Sequence, residues 1–380
     1  MQLIATTSFG LEAIVARELK SLGYEDQTIA DGRITFQGDM QAICRTNLWL
    51  RSADRIFLKV GSFTATDFGQ LFDQTKTIKW SDILPQNAIF PVRGRSVRSQ
   101  LHSVPDAQSI IKKAIVEQMK EAYHVDWFDE EGASYAVEFS ILKDEVTLAI
   151  DTSGKGLNKR GYRTLNSEAP LKETLAAALI QLSYWNRERP FVDPFCGSGT
   201  IPIEAALIAR NIAPGIHRTF AADHWKMIDA TEWDNAREEA KDLQKEKPDY
   251  QLIGTDIDRS VIKTARYHAQ QAGVFDDIYF EQKPIEEFSN KRKYGCIICN
   301  PPYGERSGTD EQAKEIYRMM GEKFNPLETW SKYILTSHDA FEKQMKKKAD
   351  RRRKLYNGNL ACTYFQYQGP PPPRKRVDAT

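Results

Sequence analysis

Four consecutive residues, Asn300-Pro301-Pro302-Tyr303, follow an apolar run, Cys296-Ile-Ile-Cys299, that reads as a strand. Two prolines remove two N–H donors and stiffen the chain. The Asn300 side-chain oxygen and the Pro301 carbonyl are left as acceptors that can converge on one point. An exocyclic NH2 has two hydrogens and needs two such acceptors. Accepting both draws the nitrogen lone pair out of ring conjugation and toward an incoming methyl. Tyr303 can stack on the base that carries the amine. The pattern suits an amino group on a planar base held in line with an electrophilic carbon. The plain alternative is a proline turn with a core tyrosine, and two motifs upstream argue against it.

The first of these is Phe191-Val-Asp-Pro-Phe-Cys-Gly-Ser-Gly-Thr200, followed by the helical run Ile203-Glu-Ala-Ala-Leu-Ile. A strand enters, the chain turns on Gly197 and Gly199, and a helix begins. Glycines let backbone approach a ligand closely, and a helix N-terminus favours an anion such as a carboxylate. A dinucleotide fingerprint would be GxGxxG. Pro202 stands at the third glycine position, and Asp193 before the turn suits a cationic amino group better than a pyrophosphate. Taken alone, the loop also reads as a structural turn or a site for an unspecified ligand.

The second is Gly254-Thr-Asp256-Ile-Asp258, at the end of the next apolar strand. An acidic residue there can accept hydrogen bonds from both ribose hydroxyls. Asp256 reads equally as a helix N-cap. The gap from Asp193 to Asp256 is 63 residues, against ~20 in a plain mononucleotide unit. Residues 211–250, with Pro214, Trp225 and Trp233, therefore look like an inserted excursion.

At these residues the chain resembles the class I S-adenosylmethionine-dependent amino-methyltransferases with the N/D-P-P-Y motif. Asn158-Lys-Arg-Gly-Tyr-Arg163, Ala169-Pro-Leu-Lys-Glu-Thr-Leu, DPFCGSGT and NPPYGER together are similar to the THUMP-domain RNA guanine-N2 methyltransferases, and most to the RlmL-type 23S rRNA enzymes and their Gram-positive relatives. The resemblance covers nearly the whole chain. It implies an α/β fold: a Rossmann-like class I methyltransferase domain preceded by an α+β ferredoxin-like plus THUMP module. The implied boundaries are ferredoxin-like 1–60, THUMP 61–154, linker 155–166, methyltransferase 167–369 and a disordered tail 370–380. By the same resemblance Gly197, Ser198, Gly199 and Thr200 wrap the methionine part of S-adenosylmethionine, with Asp193 near its amino group. Asp256 holds the ribose and Ile257 packs on adenine. Asn300, Pro301, Pro302 and Tyr303 form the catalytic motif that holds the target base, Asn300 also facing the cofactor. The helix start at Pro170–Leu175 closes over the cofactor. Many relatives place an acidic residue at the end of the following strand, contacting the adenine amino group. Here that stretch is Tyr279-Phe-Glu-Gln-Lys-Pro284, and Gln282 is the expected substitute.

The elements that must position these residues alternate along the chain. Leu3-Ile-Ala-Thr and Ile34-Thr-Phe read as strands, and 11–19 and 40–48 as helices. Phe90-Pro-Val-Arg is a predicted strand and 106–119 an amphipathic helix. Residues 135–142 and 145–151 are predicted strands around a Lys143-Asp144 turn. Thr152-Ser-Gly-Lys-Gly156 is a polar break. A long helical pattern over 170–185 and strands at 191–193, 251–256 and 296–300 follow, with helices between, as in a parallel doubly wound sheet. Asn357-Gly358 is a hairpin turn signal.

The chain has 380 residues, 53 Lys+Arg against 52 Asp+Glu, and a net charge of +1. A globally basic nucleic-acid coat or a polyacidic tail is thereby excluded, and RNA binding must come from local patches. Arg93, Arg95 and Arg98 after one predicted strand, and Lys159, Arg160 and Arg163 in the linker, are the expected phosphate contacts. Lysines 346–348 with Arg351-Arg-Arg-Lys354 form a third cluster that also reads as an exposed helix end. Any one of these reads as well as a solvated face. No apolar run approaches the ~18–20 residues needed to span a bilayer, and Met1-Gln-Leu-Ile lacks the basic and apolar regions of a signal peptide. Five widely spaced cysteines predict a reducing, cytoplasmic setting. Cys296-Ile-Ile-Cys299 has no second pair and reads as buried strand, and no metal is expected. The reading is an S-adenosylmethionine-dependent guanine-N2 methyltransferase of RNA, 23S rRNA foremost. A tRNA enzyme, a DNA adenine-N6 methyltransferase and a non-catalytic RNA-binding assembly factor are the alternatives.

Overall fold

The computed structural model describes residues 1–165, 171–303 and 309–373. The NPPYGER residues Gly304, Glu305 and Arg306, the predicted helix start at Pro170, and the tail from Arg374 lie outside them. Two compact units form. Met1–Thr7, Val15–Leu157 and Gly215–Ala240 make the first; Ser8–Ile14, Asn158–Pro214 and Lys241–Thr380 make the second.

The first unit is built on a seven-stranded sheet of β1 (Gln2–Thr6), β2 (Gln27–Ala30), β3 (Arg33–Gln37), β4 (Arg55–Thr64), β5 (Val92–Val97), β6 (Val137–Leu142) and β7 (Glu145–Asp151). Its order is β2-β3-β1-β4-β7-β6-β5. β4 pairs with β1 through Arg55–Leu58 and with β7 from Phe57 to Thr64, bulging between Lys59 and Gly61. The boundary expected at residue 60 thus falls inside a strand that serves both halves of one sheet. The helices of this unit include α1 (Glu12–Ser21), which begins in the second unit, α2 (Met40–Trp49), α3 (Phe68–Lys76) and α4 (Val104–Tyr123). Lys143 and Asp144 both take positive φ, 52° and 66°, as a two-residue type I′ hairpin requires.

The excursion anticipated over 211–250 belongs, through Gly215–Ala240, to this first unit. Trp225 stacks on Tyr135 with centroids 4.7 Å apart, and its Nε1 donates to the Ser134 carbonyl at 2.9 Å. Trp233 stacks on Phe220, and Arg45 pairs with Glu239 at 2.8 Å from the helix α7 (Ala230–Asp242). Two buried tryptophans with satisfied N–H groups make this a packed element of that unit.

The second unit carries β8 (Phe191–Asp193), β9 (Leu252–Asp256), β10 (Ile278–Gln282), β11 (Cys296–Cys299), β12 (Ser331–Thr336), β13 (Arg351–Asn357) and β14 (Leu360–Tyr367), in the order β10-β9-β8-β11-β12-β14-β13. β8 to β12 are parallel; β14 and β13 close the sheet antiparallel. Every residue of β8 and β11 is buried, as for strands covered on both faces. The covering helices are α5 (Glu173–Gln181), α6 (Thr200–Ala209), α8 (Arg259–Gln271), α9 (Asp310–Phe324) and α10 (Phe341–Met345). Strand order reverses between β8 and β11, which makes their carboxyl ends the switch point where ligands bind in such sheets. The basic stretch 351–354, which reads as a helix end in the sequence, is edge strand β13.

Candidate active site

A cavity of about 930 Å³ opens at that switch point. Asp193, Gly197, Ser198, Thr200, Asp256, Ile257, Asn300, Pro301, Pro302 and Tyr303 all line it. Three motifs spread over more than 100 residues of chain therefore meet at one place.

The glycine loop is shaped from beneath. Gly197 and Gly199 take φ of +50° and +86°, a region open to glycine at little cost. A Cβ on Gly199 would lie 3.0 Å from Ala265 Cβ and 3.2 Å from Phe280 Cζ. Gly199 is not among the lining residues: it lets the α6 start pack on α8 and β10. The sequence misses one support of the loop. His268 of α8 is buried, with Nδ1 3.2 Å from the Ser198 carbonyl oxygen. A carbonyl can only accept, so Nδ1 carries the proton. Burial and then the Arg163 charge hold the His268 pKa below its ordinary value.

Two carboxylates define the cofactor end. Asp256 Oδ2 accepts from Gly197 N and Oδ1 from Asp258 N, each at 3.0 Å. The cap of α8 is Asp258, whose side chain accepts from Ser260 N at 2.7 Å. Asp256 is therefore not the cap. It ties the β9 end to the glycine loop while lining the cavity. Asp193 is buried; its Oδ1 accepts from Phe195 N at 3.0 Å, and its Oδ2 has no hydrogen-bond partner among the described residues. Burial pushes the Asp193 carboxyl well above the usual range, with one backbone N–H opposing and the Asp256 charge adding to it. A buried carboxylate oxygen left unpaired is costly, and a ligand ammonium is the group that would satisfy it. Ile257 is 68% exposed at the cavity, an apolar surface that a planar ring would cover. This donor set fits an amino acid joined to a nucleoside, the two halves of S-adenosylmethionine.

Three expectations are corrected. Gln282 does not line the cavity. Its Nε2 donates to the Ile257 carbonyl at 3.1 Å, and Lys283, Ile285 and Glu286 form that wall. Arg160 is buried against Glu204 of α6, which also accepts from the Tyr162 hydroxyl at 3.1 Å. Arg163 donates to the Leu171 carbonyl and to Glu173, each at 3.1 Å. Both arginines turn inward to carboxylates of the catalytic unit, so the phosphate role expected of them does not stand. Lys159 is exposed, as are Arg93, Arg95 and Arg98.

At the base end, the Tyr303 hydroxyl donates to Asn300 Oδ1. Tyr317 of α9, another residue the sequence does not single out, donates its hydroxyl to the Pro302 carbonyl at 2.7 Å and lies 3.1 Å from Thr336 Oγ1. Cys296 and Cys299 are both buried in β11. Asn357, at the β13–β14 turn, also reaches the cavity.

The fold and the site define a class I S-adenosylmethionine-dependent methyltransferase. Residues 160–366 match the RMKL-like methyltransferase domain, 2–57 the RlmL ferredoxin-like domain and 65–151 the THUMP domain, and the chain belongs to that RMKL-like methyltransferase family. It is 48% identical over 376 residues to the Bacillus subtilis protein named "Putative RNA methyltransferase YpsC", covering 98% of this chain and 97% of that one. Its structure is similar to that of SMU.472 complexed with SAH (S-adenosylhomocysteine), with a TM-score of 0.92, 43% identity and coverage of 97% and 98%. It is also similar to a Listeria monocytogenes protein described as "a predicted N6-adenine-specific DNA methylase", with a TM-score of 0.93, 50% identity and coverage of 97% and 96%. S-adenosylmethionine is the methyl donor.

Proposed function

We propose that this protein methylates the exocyclic N2 amine of a guanine in RNA, with 23S rRNA as the first target class to test. The observation that carries the chemistry is the convergence of Asn300, Pro301 and Tyr303 on the cavity that Asp193 and Asp256 line. Bound there, the cofactor supplies a methyl on a sulfonium with a neutral thioether as leaving group. Asp193 holds its ammonium and Asp256 its ribose. Ser198 and Thr200 at the α6 start face its carboxylate, and Ile257 covers its adenine.

The amine is a poor nucleophile because its lone pair is delocalised into the ring. Asn300 Oδ1 and the Pro301 carbonyl accept its two hydrogens, that interaction strengthens as the nitrogen pyramidalises, and the methylated, cationic nitrogen then releases one proton to solvent. Asn300 Oδ1 bonds the Tyr303 hydroxyl, so base entry exchanges that hydroxyl for the amine. The freed tyrosine ring then stacks on the extruded base.

The matched THUMP domain and the relative named as an RNA methyltransferase support RNA as the polymer, engaged through Arg93, Arg95, Arg98 and Lys159 in a cytoplasmic setting. One observation favours a second reading: the Listeria relative's description as an adenine-specific DNA methylase, whose target is also an exocyclic amine. Labelled S-adenosylmethionine offered with 23S rRNA, tRNA and DNA separates the two. We expect label in rRNA; label confined to tRNA would move the target, and label confined to DNA would overturn the RNA reading.

A further inference from the structure

The cavity has a doorway that the glycine loop and the NPPY motif leave unexplained. Asn357 lines the cavity and is the last residue of β13, the edge strand of the catalytic sheet. Side chains alternate along a strand, so Arg352, Lys354 and Tyr356 share one face of β13. From Arg352 to Asn357 the strand runs roughly 17 Å at ~3.4 Å per residue, and its end, Asn357, which lies with Arg351 on the other face, reaches the site.

An exposed aromatic sits beside it. Phe9 is 53% exposed and meets Tyr356 edge to face, ring centroids 6.0 Å apart. The turn that carries Phe9 is pressed on β13: Gly10 has φ +91°, and a Cβ there would lie 3.1 Å from the Lys354 carbonyl oxygen. Leu11 N donates to Ser8 O at 3.1 Å and Gly10 N to Glu12 Oε2 at 2.9 Å, so the turn is internally braced. Lys354 Nζ lies 5.6 Å from the Tyr356 ring centroid. Arg352 pairs with Glu342 at 2.6 Å, and Lys354, Arg351 and lysines 346–348 are exposed cations along the edge.

Basic side chains on an edge strand can serve only to block sheet-to-sheet pairing. That purpose does not account for a large apolar ring held in water, nor for a strand that ends in the active-site cavity. Cations tracking beside stacking rings are the chemistry that binds single-stranded nucleic acid.

We propose that the Phe9 turn and β13 form the track along which the RNA strand flanking the target nucleotide enters the cavity. Phe9 and Tyr356 stack flanking bases, Lys354 on the same face meets a phosphate, and Asn357 at the strand end meets the RNA where it turns into the site. This rests on the RNA reading above.

Fluorescence anisotropy of a fluorescein-labelled oligouridine 15-mer on the full-length protein tests it. Each stacked base contributes ~1–3 kcal/mol, so Phe9→Ala/Tyr356→Ala is expected to weaken binding at least ~10-fold. The slope of affinity against salt should be unchanged in that variant, because no phosphate contact is lost. Lys354→Glu is expected to reduce that slope by about one unit or more. SAH affinity should be unchanged in both. If the wild type binds the RNA and both variants bind it within twofold with the wild-type slope, the track is wrong and the RNA reading survives. If the wild type binds neither this RNA nor a 23S rRNA transcript, the RNA reading fails and the track with it.

Discussion

The Tyr317 hydroxyl donates to the Pro302 carbonyl at 2.7 Å, from a helix that begins after the motif loop has left its strand. Tyr317 is buried, and Thr336 of β12 lies 3.1 Å from the same hydroxyl. The second proline of the motif is thus pinned from behind, which holds Asn300 and Pro301 toward the cavity. Misplacing a reacting group by ~1 Å can cost ~100-fold. Tyr317→Phe is expected to lower kcat about tenfold while leaving SAH affinity within twofold. Because Tyr317 acts through the loop, KM for RNA should move little; steady-state kinetics with calorimetry for SAH checks this, and an unchanged kcat would remove the positioning role.

Asp193 links cofactor binding to pH. Its folded pKa is raised by burial, so the folded protein keeps a proton that the unfolded chain releases above ~3.9. That stabilisation is complete below the unfolded value and is lost as pH rises through the folded pKa. Asp193→Asn carries no such loss. Without cofactor the variant should melt at a higher temperature than wild type at pH 8, with the difference shrinking toward pH 5. It should also lose at least ~10-fold in SAH affinity, as loss of a charged hydrogen bond implies. Melting curves at several pH values, with and without SAH, decide both points; equal SAH affinity would take the ammonium away from Asp193.

His268 gives the opposite slope. Its folded pKa is lowered, so the unfolded chain takes up a proton near ~6.5 that the folded protein refuses. Stability from this group is present above that value and is lost as pH falls below it. His268→Gln should flatten the acid side of the stability profile between pH 7 and 5. An acid limb identical in wild type and variant would contradict a buried neutral imidazole under Ser198.

Much of the site is written in short contiguous motifs, because a strand, a turn and a helix start bring nearby residues to one ligand. That is why Asp193, Gly197, Asp256 and Asn300 were legible. What could not be read was whatever reaches across the fold. Tyr317 looks like any apolar helix position, and His268 like a core histidine. Arg160 and Arg163 show positive charge in the sequence, but not that Glu204 and Glu173 lie opposite. The excursion read over 211–250 shows in the sequence as an overlong gap, yet the packing of its Trp225 on Tyr135 depends on a residue about 90 positions earlier. The boundary expected at residue 60 lies within β4, a single strand that pairs in both halves of one sheet, which a change in local composition does not show.

The RNA module is expected to act through phosphates. Arg93 and Arg95 are exposed on β5, an edge strand paired with β6 alone among the described residues, and Arg98 follows it. Changing all three to Ala should weaken 23S rRNA binding and lower its salt slope by up to ~3 units, leaving SAH binding intact. A filter-binding salt titration giving the wild-type slope would place the contact elsewhere.

The central claim is that Asn300 activates a guanine amine. Nucleoside mass spectrometry of a 23S rRNA transcript incubated with S-adenosylmethionine and either wild type or Asn300→Ala tests it most directly. The account predicts N2-methylguanosine with the wild type, and a loss of ~100-fold or more in rate with the variant at near-normal SAH and RNA affinity. N2-methylguanosine formed at the full rate by Asn300→Ala, or N6-methyladenine as the only product, would contradict it.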